Sequence, residues 1–445
     1  MKIIKSKILP STVSLFTAAL LALLAAGPEA ARAQSRGTIL KEIVLENGLR
    51  LIYEHDASSQ ITVIQFFIKG GQRAEPPGKA GLAYLTTRLA LEIPDFTQTQ
   101  KLMNQATGMY MACQEDCTFI TLFCLSENLE ESLEVVSKIM RNPLMSGIRI
   151  DRITKQMEDQ LKTEQDDSVN LAHSASMAAF FKDTPYASSV FGTKDSLKAI
   201  KKSDITWFYR HFFHAGNMLV VVTSDLEEKD IKGLIDAHYG PFPNGPAPDL
   251  PSFKSRPAPK ESIFQEKDKE QSFVSAAFAL NIRTRREYAL SFLLDCLLGK
   301  GIHSRLWDLR VRQKLAYSVQ SRLTHAEQGT LLEAFLETEH SKTEKARDAL
   351  QAALLELHEK GIDSQELEMT KNYAKAQILR DNETKVSRSR TLAFYETVGL
   401  GYTFLADILE EIDSVTLDEM NGFIRSGLAP QDCLFVIIGP AEDEQ

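Results

Sequence analysis

Residues 78–89 read Gly-Lys-Ala-Gly-Leu-Ala-Tyr-Leu-Thr-Thr-Arg-Leu and follow a strand-like run and a turn at 63–77. Side chains four apart on a helix share a face, so Tyr84 and Arg88 can converge on one ligand, with Thr87 beside them. Two histidines at that spacing would bind zinc, and a glutamate between them would activate a zinc-bound water. The residues present do neither. A phenol is a weak ligand, threonine takes up no proton, and arginine stays protonated, offers no lone pair and repels a cation. Neither H-x-x-E-H nor H-E-x-x-H occurs anywhere in the chain.

Other chemistry-bearing groups are sparse. His211 and His214 lie three apart near a helix end, where packing or capping is the ordinary use. The remaining histidines form no cluster. Gly299-Lys300-Gly301 lacks the G-x-x-x-x-G-K-[ST] pattern of a phosphate loop and fits a helix-to-helix turn. There are five cysteines. Cys113 and Cys117 flank Gln-Glu-Asp between two strand-like runs, which leaves a cross-strand disulfide or a pair of half-buried thiols open. Arg88 itself has two readings: a cation that stands where a metal would and binds an acidic group, or an exposed helix arginine.

The elements that position these residues are legible from hydrophobic periodicity. Strands are expected at 41–44, 49–54 and 62–69. A helix starts near 81, a hairpin spans 109–125, and amphipathic helices fill 127–140 and 148–166. A helix ends over 207–213, a buried strand covers 218–223, and a helix spans 228–239. Seven of the sixteen prolines fall between Pro241 and Pro259, a stretch that can hold neither a helix nor a central strand. It reads as a linker over 243–260 between domains at 34–242 and 261–445. The second half repeats the order. Strands are expected at 262–265 and 273–279, helices at 286–298 and up to 312, then strands at 316–324 and 330–337. Helices at 343–360, 364–380, 388–399 and 416–426 and a strand at 434–438 close it. The fold class is α+β: two mixed-sheet sandwiches with helices packed on one side of a largely antiparallel sheet.

The first residues have the form of a secretory signal. Lys2, Lys5 and Lys7 precede an apolar run over 15–26, and Ala31-Arg32-Ala33 fits the small-x-small cleavage rule. Cleavage after Ala33 is the leading expectation, with an uncleaved anchor the weaker one; the mature chain is then expected in the periplasm, with no later segment long and apolar enough to span a bilayer. The net charge of −9 grows more negative when Lys2, Lys5, Lys7 and Arg32 leave with Glu29. An acidic chain is a poor partner for nucleic acid, which needs basic patches.

Taken in order along the chain, several segments resemble the insulinase/pitrilysin-like metallopeptidases, the inverted zincins whose helix opens with H-x-x-E-H. They are Leu45-Glu46-Asn47-Gly48-Leu49, Gly70-Gly71-Gln72-Arg73, the degenerate motif at 84–88, Phe191-Gly192-Thr193, the strand from Asn217 to Val222, and Ile437-Ile438-Gly439-Pro440. The resemblance implies two domains of the mitochondrial-processing-peptidase-like metallohydrolase type. It also implies a third zinc ligand just before the acidic pair Asp166-Asp167, which puts Gln160 at that position, with Glu158 and Glu164 nearby. In the second half, Ser304-Arg305-Leu306, Leu309-Arg310 and Leu315-Ala316-Tyr317-Ser318-Val319 are similar to the family's second signature, although Val311-Arg312-Gln313-Lys314 stands where Glu-Lys-x-Gly is usual. That likeness makes Arg310 and Tyr317 the expected substrate-binding pair, a guanidinium and a phenol that donate to a carbonyl oxygen as it gains charge. With no zinc ligands and a retained Arg/Tyr pair, the chain is similar to the non-catalytic type of the processing-peptidase alpha and core-protein group. The expectation is a substrate-binding subunit that cleaves nothing alone. It would pair with an H-x-x-E-H-bearing peptidase subunit that holds the zinc, and would act on peptides. The alternative is a scaffold or peptide-binding protein of the same fold. An active hydrolase using other ligands has no residues to carry it.

Overall fold

Strand β3 (Ile61–Lys69) is buried along almost its whole length, which a sheet with one wet face does not produce. The computed structural model describes residues 40–440 except 94 and 260, so the leader expected at 1–33 lies outside the described residues. β3 is central to a six-stranded sheet. Its order is β1 (Leu40–Val44), β2 (Arg50–His55), β6 (Met218–Ser224), β3, β5 (Cys117–Leu125) and β4 (Gly108–Cys113). Phe66 on β3 stands opposite Ile120 on β5 and Val220 on β6, both antiparallel neighbours. β2 and β6 run parallel in this sheet, while β4 pairs antiparallel with β5. The second sheet has five strands, in the order β7 (Ile263–Glu266), β11 (Leu434–Gly439), β8 (Gln271–Leu280), β10 (Gly329–Glu339) and β9 (Ser318–Ala326). All its pairs are antiparallel except β7 with β11.

The first half carries helices α1 (Leu82–Ala90), α2 (Phe96–Asn104), α3 (Leu129–Arg141), α4 (Gly147–Asp166), α5 (Ser168–Phe180), α6 (Lys194–Ala199), α7 (Lys202–Phe212) and α8 (Glu228–Tyr239). The second carries α9 (Arg285–Gly299), α10 (Trp307–Val311), α11 (Thr343–Lys360), α12 (Ser364–Asp381), α13 (Lys385–Thr397), α14 (Phe404–Asp413) and α15 (Leu417–Gly427). Alternation along β3 sends Ile64, Phe66 and Ile68 into a core with Leu85 of α1, Leu133 of α3 and Phe208 of α7. Each such side chain, fully withdrawn from water, is worth about 1.5–3 kcal/mol.

The other face of each sheet is covered by a helix from the opposite half. α13 lies on the first sheet. Its Lys385 donates to the carbonyls of Asp56 (2.6 Å), Ser59 (2.8 Å) and Ile61 (3.0 Å), and Arg388 holds the fully buried Glu54 at 2.5 Å. Gln65, pointing out of β3 on that side, donates to Ser389 and the Val386 carbonyl. In return α5 lies on the second sheet, its Ala172, Ala175 and Phe180 packed on Phe273, Leu331 and Phe335. His173 of α5 and Arg322 of β9 both sit 2.8 Å from Glu333. Burial alone would raise the Glu333 carboxyl, but these two partners hold it below its usual range. Helices therefore line both faces of each sheet rather than one.

Residues 243–259 form neither helix nor strand, yet they are tied down. The Pro251 carbonyl accepts from Arg73 Nε (2.7 Å), and the Arg256 N–H donates to the Phe180 carbonyl (2.7 Å). Arg73 continues into a buried knot, where it pairs with Glu327 (2.9 Å) and Asp116 (3.4 Å). Asp116 also accepts the Tyr186 hydroxyl (2.6 Å) and the Glu327 N–H (2.6 Å). Four helices were not anticipated from periodicity: α2, α5, α6 and α14. α5 hid its buried face in alanine and serine.

Candidate functional site

α1 is preceded by its N-cap Gly81, whose φ of +92° strains any residue with a Cβ and where a Cβ would come within 3.0 Å of the Phe191 carbonyl. Glu75, from the preceding turn, accepts the Ala83 N–H at 2.9 Å and so caps the helix. Its other oxygen is buried with no partner. Burial pushes the Glu75 carboxyl up to about 8, against the pull of the backbone N–H groups of Ala83, Gly81 and Leu82.

The three motif positions are all committed inside the chain. Thr87 is fully buried and donates to the Ala83 carbonyl at 2.9 Å. Tyr84 is half-buried against Phe191, edge to face at 4.8 Å between ring centroids. Arg88 pairs with Glu92 at 2.8 Å, just past the helix end, and Arg152 of α4 takes the other oxygen of Glu92. The Arg88 cation thus does bind an acidic group, one supplied by its own chain. Glu92 lies four residues after Arg88, so the ordinary i,i+4 rule could have found it. A hollow of about 500 Å³ opens beside this face, lined by Tyr84, Arg88, Glu92, Met109 and Tyr110. Among the described residues no group of three His, Cys, Asp or Glu could hold a metal.

α4 settles the register of the acidic segment. Met157 is buried and reaches Gly81, and Leu161 packs on the same core. Glu164, one helical turn further on that face, accepts the Ser189 hydroxyl at 2.7 Å. Gln160 is exposed. On α4, Glu164 thus lies on the face that carries Met157 and Leu161 and is held by Ser189, whereas Gln160, at the edge of that face, is turned to solvent.

Arg310 and Tyr317 are held differently. Leu309 and Leu315 are buried on either side of the loop, and the Leu315 N–H donates to the Leu309 carbonyl at 2.9 Å. Between them Lys314 takes a φ of +54°, a strained value for a side chain with a Cβ. The Arg310 guanidinium lies 4.7 Å over the Trp307 ring and makes no ion pair among the described residues. The Tyr317 N–H donates to the Glu337 carbonyl (2.8 Å), and its hydroxyl donates to Glu339 (3.2 Å). Both residues stay exposed, and neither lines the hollow at Tyr84.

The remaining candidates have structural uses. Cys113 stands opposite Thr118 in the β4–β5 pairing, so it and Cys117 point to opposite faces of the hairpin; both are free and buried. His211 Nδ1 contacts the Trp207 carbonyl at 2.8 Å at the end of α7. A Cβ on Gly299 would meet the Ser321 N–H, which makes the 299–301 turn a close-packing device.

Two family models match end to end: Insulinase (Peptidase family M16) over residues 50–194 and Peptidase M16 inactive domain over 199–373. The chain belongs to the M16 family and is of its inactive type. It is 27% identical over 395 residues to the "Non-peptidase homolog YmxG" of Helicobacter pylori, covering 87% of this chain and 91% of that one. It is 22% identical to the "Cytochrome b-c1 complex subunit 1, mitochondrial" of Bos taurus, over 73% of this chain and 70% of that one. Its fold is shared with the crystal structure of a peptidase M16 inactive domain from Pseudomonas fluorescens. That match has a TM-score of 0.83 at 18% identity and covers 92% of this chain and 99% of that one. The α+β, processing-peptidase-like fold is thereby established.

Proposed function

We propose that this chain is the substrate-binding, non-catalytic subunit of a zinc metallopeptidase heterodimer that acts on peptides. The observation that carries the reading is the contrast within one chain. The zinc-motif positions are consumed by internal contacts, whereas Arg310 and Tyr317 remain exposed, Arg310 with its guanidinium N–H groups outside any ion pair among the described residues and Tyr317 with its hydroxyl lent only to the surface carboxylate of Glu339. Supplied in trans, that pair would donate to the scissile carbonyl as it gains charge. The zinc would belong to a partner of the same family bearing H-x-x-E-H. A leader at 1–33 would carry this chain to the periplasm, where the heterodimer would form.

The second reading is a scaffold with no peptidase role, favoured by the likeness to a cytochrome b-c1 complex subunit. A native pull-down of the mature chain from its own periplasm separates the two. A stoichiometric partner with H-x-x-E-H supports the subunit reading. Recovery of the chain alone, or with unrelated proteins, leaves the scaffold. Chelator-sensitive peptide hydrolysis by the isolated chain would overturn both.

A further inference from the structure

α6, α7 and the turn between them carry an unusual charge for so acidic a chain. Residues 194–211 hold five cations, Lys194, Lys198, Lys201, Lys202 and Arg210, against two carboxylates, Asp195 and Asp204, while the whole chain has a net charge of −9. All five cations are exposed, and none forms an ion pair among the described residues. Asp204 is engaged elsewhere, by Lys79 at 2.7 Å. Three of the lysines also stand where they cost stability. Lys194 and Lys202 open their helices and Lys201 is the N-cap of α7, all at the positive end of the helix dipole. Residues set against their local preference mark a surface kept for another purpose.

Apolar groups are exposed on the same flank. Trp207 on the outer side of α7 is 39% exposed. The neighbouring junction of α3 and α4, which α7 grips through the Tyr209 hydroxyl on the Met140 carbonyl at the end of α3 (2.7 Å) and Thr206 on Met145, exposes Leu144 and Ile148. Unpaired lysines around an exposed tryptophan, with aliphatic side chains alongside, match a phospholipid interface. There ammonium groups meet phosphates and the indole sits at headgroup level.

We propose that the flank formed by α6, α7 and the 143–148 turn docks on an anionic phospholipid surface; no helix among the described residues is long and apolar enough to cross a membrane. Charge complementarity selects this occupant, because the acidic body of the chain turns other faces away from such a surface.

The test is flotation of the chain lacking residues 1–33, which keeps every described residue, with vesicles of phosphatidylglycerol and phosphatidylcholine or of phosphatidylcholine alone. Expected are binding to the anionic vesicles only, loss of binding in high salt, and a roughly tenfold or greater drop in the Lys198→Glu/Lys202→Glu variant. Lys229→Glu/Lys232→Glu on α8, with the same change in net charge, should bind as the parent does. In a Trp307→Phe background Trp207 is the sole tryptophan, and its emission should move to shorter wavelength on binding. No flotation with anionic vesicles, equal loss in both double variants, or an unmoved Trp207 emission each overturns the proposal.

Discussion

The faces around α1 and around α10 carry the two stretches that resemble the family's signatures, and the chain holds them in opposite ways. On α1 Thr87 donates to the Ala83 carbonyl, Arg88 pairs with Glu92, and the Tyr84 ring packs edge-on against Phe191. Around α10 the backbone is fixed by Leu309 and Leu315, but Arg310 and Tyr317 are left at the surface. The motif positions themselves are filled, although a hollow of about 500 Å³ opens beside them. Close packing makes the vacated positions structural, and a structural position is then hard to return to chemistry. An exposed position carries no such commitment.

The sharpest way to break this comparison is to rebuild the motif. Thr87→Glu would place a carboxylate at a fully buried site with no cation or free donor assigned to it. The expected cost is about 4 kcal/mol, seen as a large fall in thermal stability, and Tyr84→His/Thr87→Glu/Arg88→His should gain no stoichiometric zinc by metal analysis. A stable, zinc-loaded triple variant would mean that the α1 face had kept its old geometry.

Glu75 gives the next largest effect. Its folded-state value of about 8 lies above the ordinary 4.5, so the folded chain keeps a proton that the unfolded chain gives up. The stability tied to that proton is complete below about pH 4.5 and is lost as pH rises through about 8. Glu75→Gln keeps an acceptor for the Ala83 N–H but carries no charge. It should flatten the loss between pH 5 and 9 and gain about 2 kcal/mol at the alkaline end in urea unfolding. An unchanged pH profile would mean that the carboxylate is already ionised at the helix end.

Around α10 the expectation reverses, with little effect on stability and more on turnover. Arg310→Ala or Tyr317→Phe should leave unfolding within about 0.5 kcal/mol, since both are exposed. In the reconstituted heterodimer each should lower turnover roughly tenfold, equivalent to about 1.4 kcal/mol in the barrier. Unchanged turnover would make the pair a relic and favour the scaffold.

Much of the fold was legible because strands such as β3 and helices such as α3 bury apolar residues at the spacing their periods require. The helix exchange was not. α5 buries alanines, whose contrast with serine and asparagine is weak, and nothing in residues 168–180 says which sheet they will cover. α13 was expected as a helix over 388–399, but the polar groups that dock it, Lys385, Arg388 and Ser389, look like a solvated face until Glu54 and Gln65 are brought opposite. The loss of zinc ligands was readable directly from residue types. Glu75 and Arg152, which set the electrostatics around α1, sit outside any motif and became visible only through contact.

The smallest effect concerns the ion pairs at the motif face. Arg88 and Arg152 approach one carboxylate from two helices, so each attraction to Glu92 is offset by repulsion between the guanidiniums. Removing one arginine loses an attraction but also relieves that repulsion. Removing both loses two attractions and relieves it only once. Arg88→Met and Arg152→Met should each cost about 0.5 kcal/mol, because both groups keep access to solvent. The double variant should cost more than their sum by a few tenths of a kcal/mol, a sign set by the shared partner. Simple additivity in a double-mutant cycle would show that the two cations do not share Glu92, and would return Arg88 to the status of an ordinary helix arginine.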